Sequence, residues 1–384
     1  MTFTFATASR IIFGPRTSDN LGTYAKEFGS PVLLVHGRSG ERMDAIAGRL
    51  KEAGVRSVSF QVAHEPTVES VDQAASLARG EHCRAVVAVG GGSVLDAGKA
   101  AAALAVNPGN VREYLEVIGK GKALTQKPLP LIALPTTAGT GSEVTKNAVI
   151  GSPADGVKVS LRSDFMYPAL AVVDPILTHS LPRELTITTG LDALTQLVEA
   201  FVSGDANPLT SALSREGIIR AWRALPRAVG NGKDAEAREE MSLASLLSGI
   251  VLANAKLGAV HGFAGPLGGM TGAAHGALCA ALLPAVLEAN AQALISRAPD
   301  SPEAARFEEL AGLLTGHVSA RAAESSERVR TLCASWAVPG LRQLGFRPAD
   351  FKTAVEKAKK ASSMQGNPIQ LTDEELHSIL EASY

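Results

Sequence analysis

The chain has 384 residues, with 46% hydrophobic and 20% charged side chains, so we expect two well-buried globular domains. A formal net charge of -1 gives no support for nucleic acid or an anionic membrane as a general partner, and 4% aromatics argue against stacking platforms for bases. Three widely spaced cysteines, Cys83, Cys279 and Cys333, indicate neither a disulfide framework nor a Cys-based metal site, and fit a reducing cytoplasm. The N-terminus, MTFTFATASRIIFG, lacks a basic region followed by an apolar core, so no signal peptide is read.

In chain order, Phe3 to Phe13 alternates apolar and polar residues and predicts one or two short strands before Gly14-Pro15. A helix over 21–28 precedes the apolar run PVLLV at 31–35, a buried strand that ends in His36-Gly37-Arg38-Ser39-Gly40. Helical spacing over 42–53 puts Met43, Ile46, Leu50 and Ala53 on one face. A strand at 55–62, a helix at 68–78 and a buried strand at 85–89 follow. Alternating strands and helices predict a parallel sheet covered on both faces.

The strand at 85–89 runs into Gly90-Gly91-Gly92-Ser93 and then a helix. Glycines let the backbone turn sharply and approach a ligand, and the free N–H groups of a helix start attract an anion. The spacing is not G-x-G-x-x-G, so the ordinary Rossmann fingerprint is absent. Ser93 and Asp96 read as a capping-box-like start. A second buried strand, 130–134, ends in PTTAGTGSE, whose hydroxyls and glycines suit a phosphate or ribose cradle. Lys158 lies in an alternating stretch, where it either reaches a ligand or faces solvent. A last strand covers 171–173.

From Pro182 onward the pattern is helical: 186–202, 208–225, 235–257, 276–293, 304–314, 325–344 and 348–359. We place the domain boundary near 174–181, giving an α/β domain at 1–178 and an all-helical domain at 179–384. In TGLDALTQLVEAF, Asp192 and Gln196 are i and i+4 on one helix face, and the apolar neighbours bury the carboxylate. Lys256 to Glu288 encloses 31 residues without a charge. That run is long enough for a membrane span, but seven glycines, two prolines and two histidines argue for the interior of a soluble protein. Residues 258–274 read as a Gly-rich bend between helices. One carboxylate, one amide oxygen and two imidazoles, from Asp192, Gln196, His261 and His275, make a mixed N/O set suited to Fe(II) or Zn.

The segments GGGSVLDAGKA, ALPTTAGTGSEVT, GLDALTQLVEA and HGFAGPLGG…AHGALCAALLPAVLEAN resemble the iron-containing (group III) alcohol dehydrogenase family across nearly the whole chain. The resemblance implies a dehydroquinate synthase-like fold, with an α/β nucleotide-binding domain, an all-helical metal domain and the cofactor in the cleft between them. It implies a metal set of Asp192, His261 and His275, with Gln196 standing where the family has a third His. It implies dinucleotide contacts from Gly91, Gly92, Ser93, Asp96, Thr136, Thr137, Thr140, Ser142 and Lys158. Gly265 stands where many members carry a further His near the proton path. Where NAD-preferring members place an Asp after the strand at 31–35, this chain has Gly37, Arg38 and Ser39, which favours NADP(H) over NAD(H).

The expected function is therefore NAD(P)-dependent, metal-assisted hydride transfer between nicotinamide and a small alcohol or aldehyde in a cytoplasmic homodimer. Small side chains over 258–274, with Phe263 and Met270, are the expected pocket lining. A metal-free maleylacetate reductase-like enzyme, which Gln196 favours, is the alternative. A dehydroquinate synthase-like lyase and a non-catalytic nucleotide-binding module stand further off.

Overall fold

The computed structural model describes residues 2–384. The chain divides into two compact units, Ala6–Leu181 and Pro182–Tyr384, and the few residues up to Phe5 group with the second.

The first unit is built on a six-stranded parallel sheet. Its strands are β1 (Ile11–Phe13), β2 (Val32–His36), β3 (Ser57–Gln61), β4 (Ala85–Gly90), β5 (Leu131–Pro135) and β8 (Leu170–Val173), in the order β1-β8-β5-β4-β2-β3. Between β5 and β8 the chain forms an antiparallel hairpin, β6 (Asn147–Ser152) with β7 (Val157–Arg162). The helices of this unit are α1 (Leu21–Phe28), α2 (Glu41–Glu52), α3 (Val68–Gly80) and α4 (Gly92–Leu104).

Strand alternation sorts the core into two layers. Val32, Leu34, Val87, Val89, Ile132 and Leu134 pack with Leu21, Ile46 and Leu50 of α1 and α2. Leu33, Val35, Val86, Ala88, Leu131 and Ala133 pack with Ala74, Ala78, Ala97 and Ala101 of α3 and α4. A sheet buried on both faces explains why its strands read as continuous apolar runs.

The second unit is helical: α5 (Arg183–Val202), α6 (Pro208–Gly230), α7 (Ala235–Asn254), α8 (Ala259–Thr271), α9 (His275–Arg297), α10 (Pro302–Thr315), α11 (Ala322–Ser335), α12 (Phe351–Ala358) and α13 (Asp373–Ala382). By length and composition α9 is apolar enough to cross a membrane, but 72% of its most apolar window is buried within the fold.

Several expectations are corrected. The bend expected over 258–274 is mostly the helix α8, which starts at Gly258 and ends at Gly272, whose φ of 73° terminates it. Packing there outweighs the poor helix propensity of glycine. The helix expected over 325–344 stops at Ser335, because Ala337 adopts a φ of 51° and Pro339 follows. Only Ile11–Phe13 of the first alternating stretch pairs as a strand. The hairpin β6–β7 and the helix α13 were not read. A capping box between Thr372 and Glu375 marks the start of α13.

Candidate active site

The loops after β4 and β5 lie side by side, because Gly90 pairs with Pro135 in the sheet and the Thr136 amide donates to the Gly90 carbonyl at 2.9 Å. Gly91 is the N-cap of α4 and brings no side-chain cap, so the first amides of the helix are left for an incoming anion. Gly92 is sterically required: a Cβ there would sit 2.9 Å from the Thr140 side chain. Thr137 packs against Gly91, 3.3 Å from where a Cβ on that residue would lie. The glycine turn and the threonine loop are thus fitted to each other.

The expected Ser93–Asp96 cap does not form, because α4 begins at Gly92 and places Ser93 inside it. Asp96 instead accepts from Ser142 Oγ at 2.6 Å and from the Val149 amide at 2.9 Å, and pairs with buried Lys99 at 3.0 Å. It ties the threonine loop to α4. Glu143, at the end of that loop, is 2% exposed, and burial pushes its carboxyl up to about 7. Lys158 lies on β7 and pairs with Glu65 at 2.6 Å. Gly37, Arg38 and Ser39 follow directly on β2, and Arg38 is exposed.

In the helical unit, α5 presents Asp192, Gln196 and Glu199 at i, i+4 and i+7 on one face, each no more than 4% exposed. His261 comes from the first turn of α8, and His275 is the first residue of α9. Gly276 permits the close approach of α9 to α5, since a Cβ there would lie 2.5 Å from the Thr188 carbonyl oxygen.

Four donor atoms converge, from Asp192, His261, His275 and Cys279, all within 4.8 Å of one another. Asp192 Oδ1 lies 3.5 Å from His261 Nε2 and 3.6 Å from His275 Nε2. Cys279 Sγ lies 3.6 Å from His275 Nε2 and 3.9 Å from His261 Nε2. Gln196 Nε2 donates to Asp192 Oδ2 at 3.4 Å, while its own Oε1 is buried without a hydrogen-bond partner, as is Asp192 Oδ1. The expectation that His275 is carried into the interior is corrected: its side chain is 44% exposed and forms the open face of the cluster. Phe263, expected to line a pocket, is fully buried in the core of α8.

Two residues were missed. Glu199 accepts from His261 Nδ1 at 2.7 Å and from the amides of Val260 at 2.7 Å and His261 at 3.3 Å. It therefore caps α8, whose N-cap Gly258 brings no side chain of its own. A carboxylate only accepts, so Nδ1 carries a proton, and Nε2 is the nitrogen that faces the cluster and that a neutral imidazole would offer to an ion. The available signal was its place seven residues after Asp192. Cys279 was set aside because the cysteines are far apart in sequence; its signal was the i, i+4 spacing from His275.

The groups of the cluster are strongly coupled electrostatically. Burial alone would raise the Asp192 carboxyl, but the facing His275 and His261 hold it below its usual range. The neighbouring Cys279 and, after it, the Asp192 carboxylate raise His275 to about 9 against the opposing effect of burial. His261 is also raised well above its ordinary value, because Cys279, Asp192 and Glu199 outweigh its burial.

An α/β unit with a glycine turn at its strand ends, followed by a helical unit with a carboxylate–imidazole–thiol cluster, defines a class of two-domain oxidoreductases. Comparison with known proteins gives the particular family. Residues 8–175 match iron-containing alcohol dehydrogenase, and residues 186–384 match the Fe-containing alcohol dehydrogenase family, C-terminal. Alcohol dehydrogenase 4 of Schizosaccharomyces pombe is 39% identical over 343 residues, 88% of this chain and 78% of that one. The crystal structure of a 1,3-propanediol oxidoreductase superposes with a TM-score of 0.92 at 32% identity, covering 100% of both chains. Sulfoacetaldehyde reductase from Bifidobacterium kashiwanohense, solved with NAD+, gives 0.87 at 30% identity, covering 100% of this chain and 99% of that one. The chain belongs to the iron-containing alcohol dehydrogenase family and is an oxidoreductase acting on CH–OH groups.

Proposed function

We propose that this chain interconverts a small primary alcohol and its aldehyde, with a divalent ion held by Asp192, His261 and His275 and a nicotinamide dinucleotide held by the loops after β4 and β5. One observation carries the metal reading: a buried carboxylate oxygen, Asp192 Oδ1, has no hydrogen-bond partner and faces two imidazole nitrogens at 3.5 and 3.6 Å. An orphaned buried charge is costly unless a cation meets it. Such an ion supplies Lewis acidity that polarises the substrate oxygen.

The remaining roles fall to the chain itself. Gly91, Gly92 and Ser93 take the pyrophosphate at the start of α4, and Thr136, Thr137 and Thr140 offer hydroxyls beside it. Asp96 and Ser142 hold the two loops together, and Lys158 flanks them on β7. Glu199 keeps His261 in the metal-binding tautomer. The exposed face at His275 admits the substrate. A bound nicotinamide would supply the hydride acceptor, and with Gly265 offering no titratable side chain one turn beyond His261, the hydroxyl proton would leave through water. Arg38, exposed and without an ion pair among the described residues, supports NADP(H) as the better cofactor, because a guanidinium pairs with a 2′-phosphate. A cytoplasmic homodimer is the family-like assembly.

The reading is tested by following the absorbance of NADH and NADPH with a panel of short aldehydes. Oxidation of reduced cofactor by wild-type protein, absent in Asp192→Ala with unchanged circular dichroism, is the expected result. Equal turnover in the two proteins would refute the site.

A further inference from the structure

The family resemblance supplies a third His where this chain has Gln196, and the donor geometry supplies a different replacement. Ligand bonds of roughly 2.0–2.3 Å at tetrahedral angles place donor atoms about 3.3–3.6 Å apart. The separations Asp192–His261, Asp192–His275 and Cys279–His275 are 3.5, 3.6 and 3.6 Å, and Cys279–His261 is 3.9 Å. Three edges of a tetrahedron among Oδ1, two Nε2 atoms and Sγ are thus already formed, and the Cys279–His261 edge, at 3.9 Å, is slightly longer.

We propose that Cys279 is the fourth donor of the metal centre, and that Gln196 orients Asp192 without binding the ion. The Gln196 amide donates to Asp192 Oδ2, which turns Oδ1, the oxygen without a hydrogen-bond partner, to the cluster. The other two cysteines behave as ordinary core thiols. Cys83 packs in the apolar layer of the sheet, and Cys333 donates to the Ala280 carbonyl at 3.7 Å. The polar neighbours of the Cys279 sulfur are the two imidazole nitrogens and the Asp192 carboxylate. Cys279 is fully buried one helical turn after His275, so its sulfur is held in place by packing.

The consequence is metal choice. An all-N/O set suits iron(II), whereas a thiolate with two imidazoles and one carboxylate favours zinc or cobalt(II). This chain therefore departs from the metal in its family's name.

The inference rests on the proposed metal site, and cobalt(II) separates the two. The purified protein is stripped with a chelator, reloaded with cobalt(II), and its absorption spectrum recorded. The expected result is a thiolate-to-cobalt charge-transfer band in the near ultraviolet. It disappears in Cys279→Ser and survives in Gln196→Ala. Zinc affinity should fall at least about tenfold in Cys279→Ser, since even outer partners of a metal site are worth that much. Retained NADH binding and circular dichroism check that the variant is folded. Cobalt bound without a thiolate band overturns the role of Cys279 alone. A zinc affinity lost in Gln196→Ala and kept in Cys279→Ser restores the amide as ligand. No cobalt bound by wild type overturns the metal site as well.

Discussion

The two halves of the machinery are built in opposite ways. The proposed cofactor cradle is made of short contiguous segments, 90–93 and 135–142, which offer backbone amides and hydroxyls at strand ends. The donor cluster is made of single side chains from three helices, with Cys279 87 positions after Asp192 in the sequence. In the first, geometry follows from local backbone, and polar side chains such as Asp96 are spent on joining the loops. In the second, geometry follows from helix packing, and a buried carboxylate oxygen has no hydrogen-bond partner. A cradle of this kind tolerates side-chain change and fails on added bulk; a donor cluster fails on the loss of one atom.

The sharpest way to break that contrast is Asp192→Ala. Losing a Lewis-acid site worth several kcal/mol should cost turnover about 10³-fold or more, read as kcat at saturating cofactor, with cofactor binding unchanged. If cofactor affinity fell instead, the division of labour would be wrong.

The next effect belongs to the cradle and concerns stability. Glu143 has a folded pKa of about 7, above its ordinary 4.5, so the folded chain binds more protons in that window. Its contribution is most favourable below pH 4.5 and is lost as pH rises through about 7. The loss is roughly 3 kcal/mol at about 1.4 kcal/mol per pH unit. Glu143→Gln should flatten the fall in denaturant midpoint between pH 5 and 8. A midpoint for wild type that rises over that range would contradict the assignment.

Glu199→Gln probes how the cluster is held. The amide would present a donor to His261 Nδ1, move the ring proton to Nε2 and close that lone pair to a cation. Metal affinity should drop roughly 10- to 100-fold, read by competition with a chromophoric chelator. Arg38→Ala is the mildest change. It should lower the NADPH-over-NADH preference in kcat/KM by about tenfold, the worth of one exposed charge-assisted hydrogen bond. An unchanged ratio would leave the cofactor choice to other groups.

This contrast also explains what the sequence disclosed. The apolar runs at 31–35, 85–89 and 130–134 are strands because both sheet faces are covered, and glycine after a strand marks a turn wherever it stands. Asp192, His261 and His275 were legible because polar groups in apolar surroundings need partners. Cys279 and Glu199 were not, because a cysteine in an alanine- and leucine-rich helix reads as core, and a glutamate seven residues on reads as a surface charge until its helix face is known to be buried. The helix α8 was hidden for a related reason: glycine and proline argue against helix locally, and only packing overrides them.

The most direct test of the central claim is the metal content of freshly purified protein, measured beside its rate of NADH or NADPH oxidation with an aldehyde. The account predicts a divalent ion bound at one per chain, activity that vanishes on chelation and returns on adding zinc or cobalt(II), and no bound ion in Asp192→Ala. Full turnover by metal-free wild-type protein would contradict it.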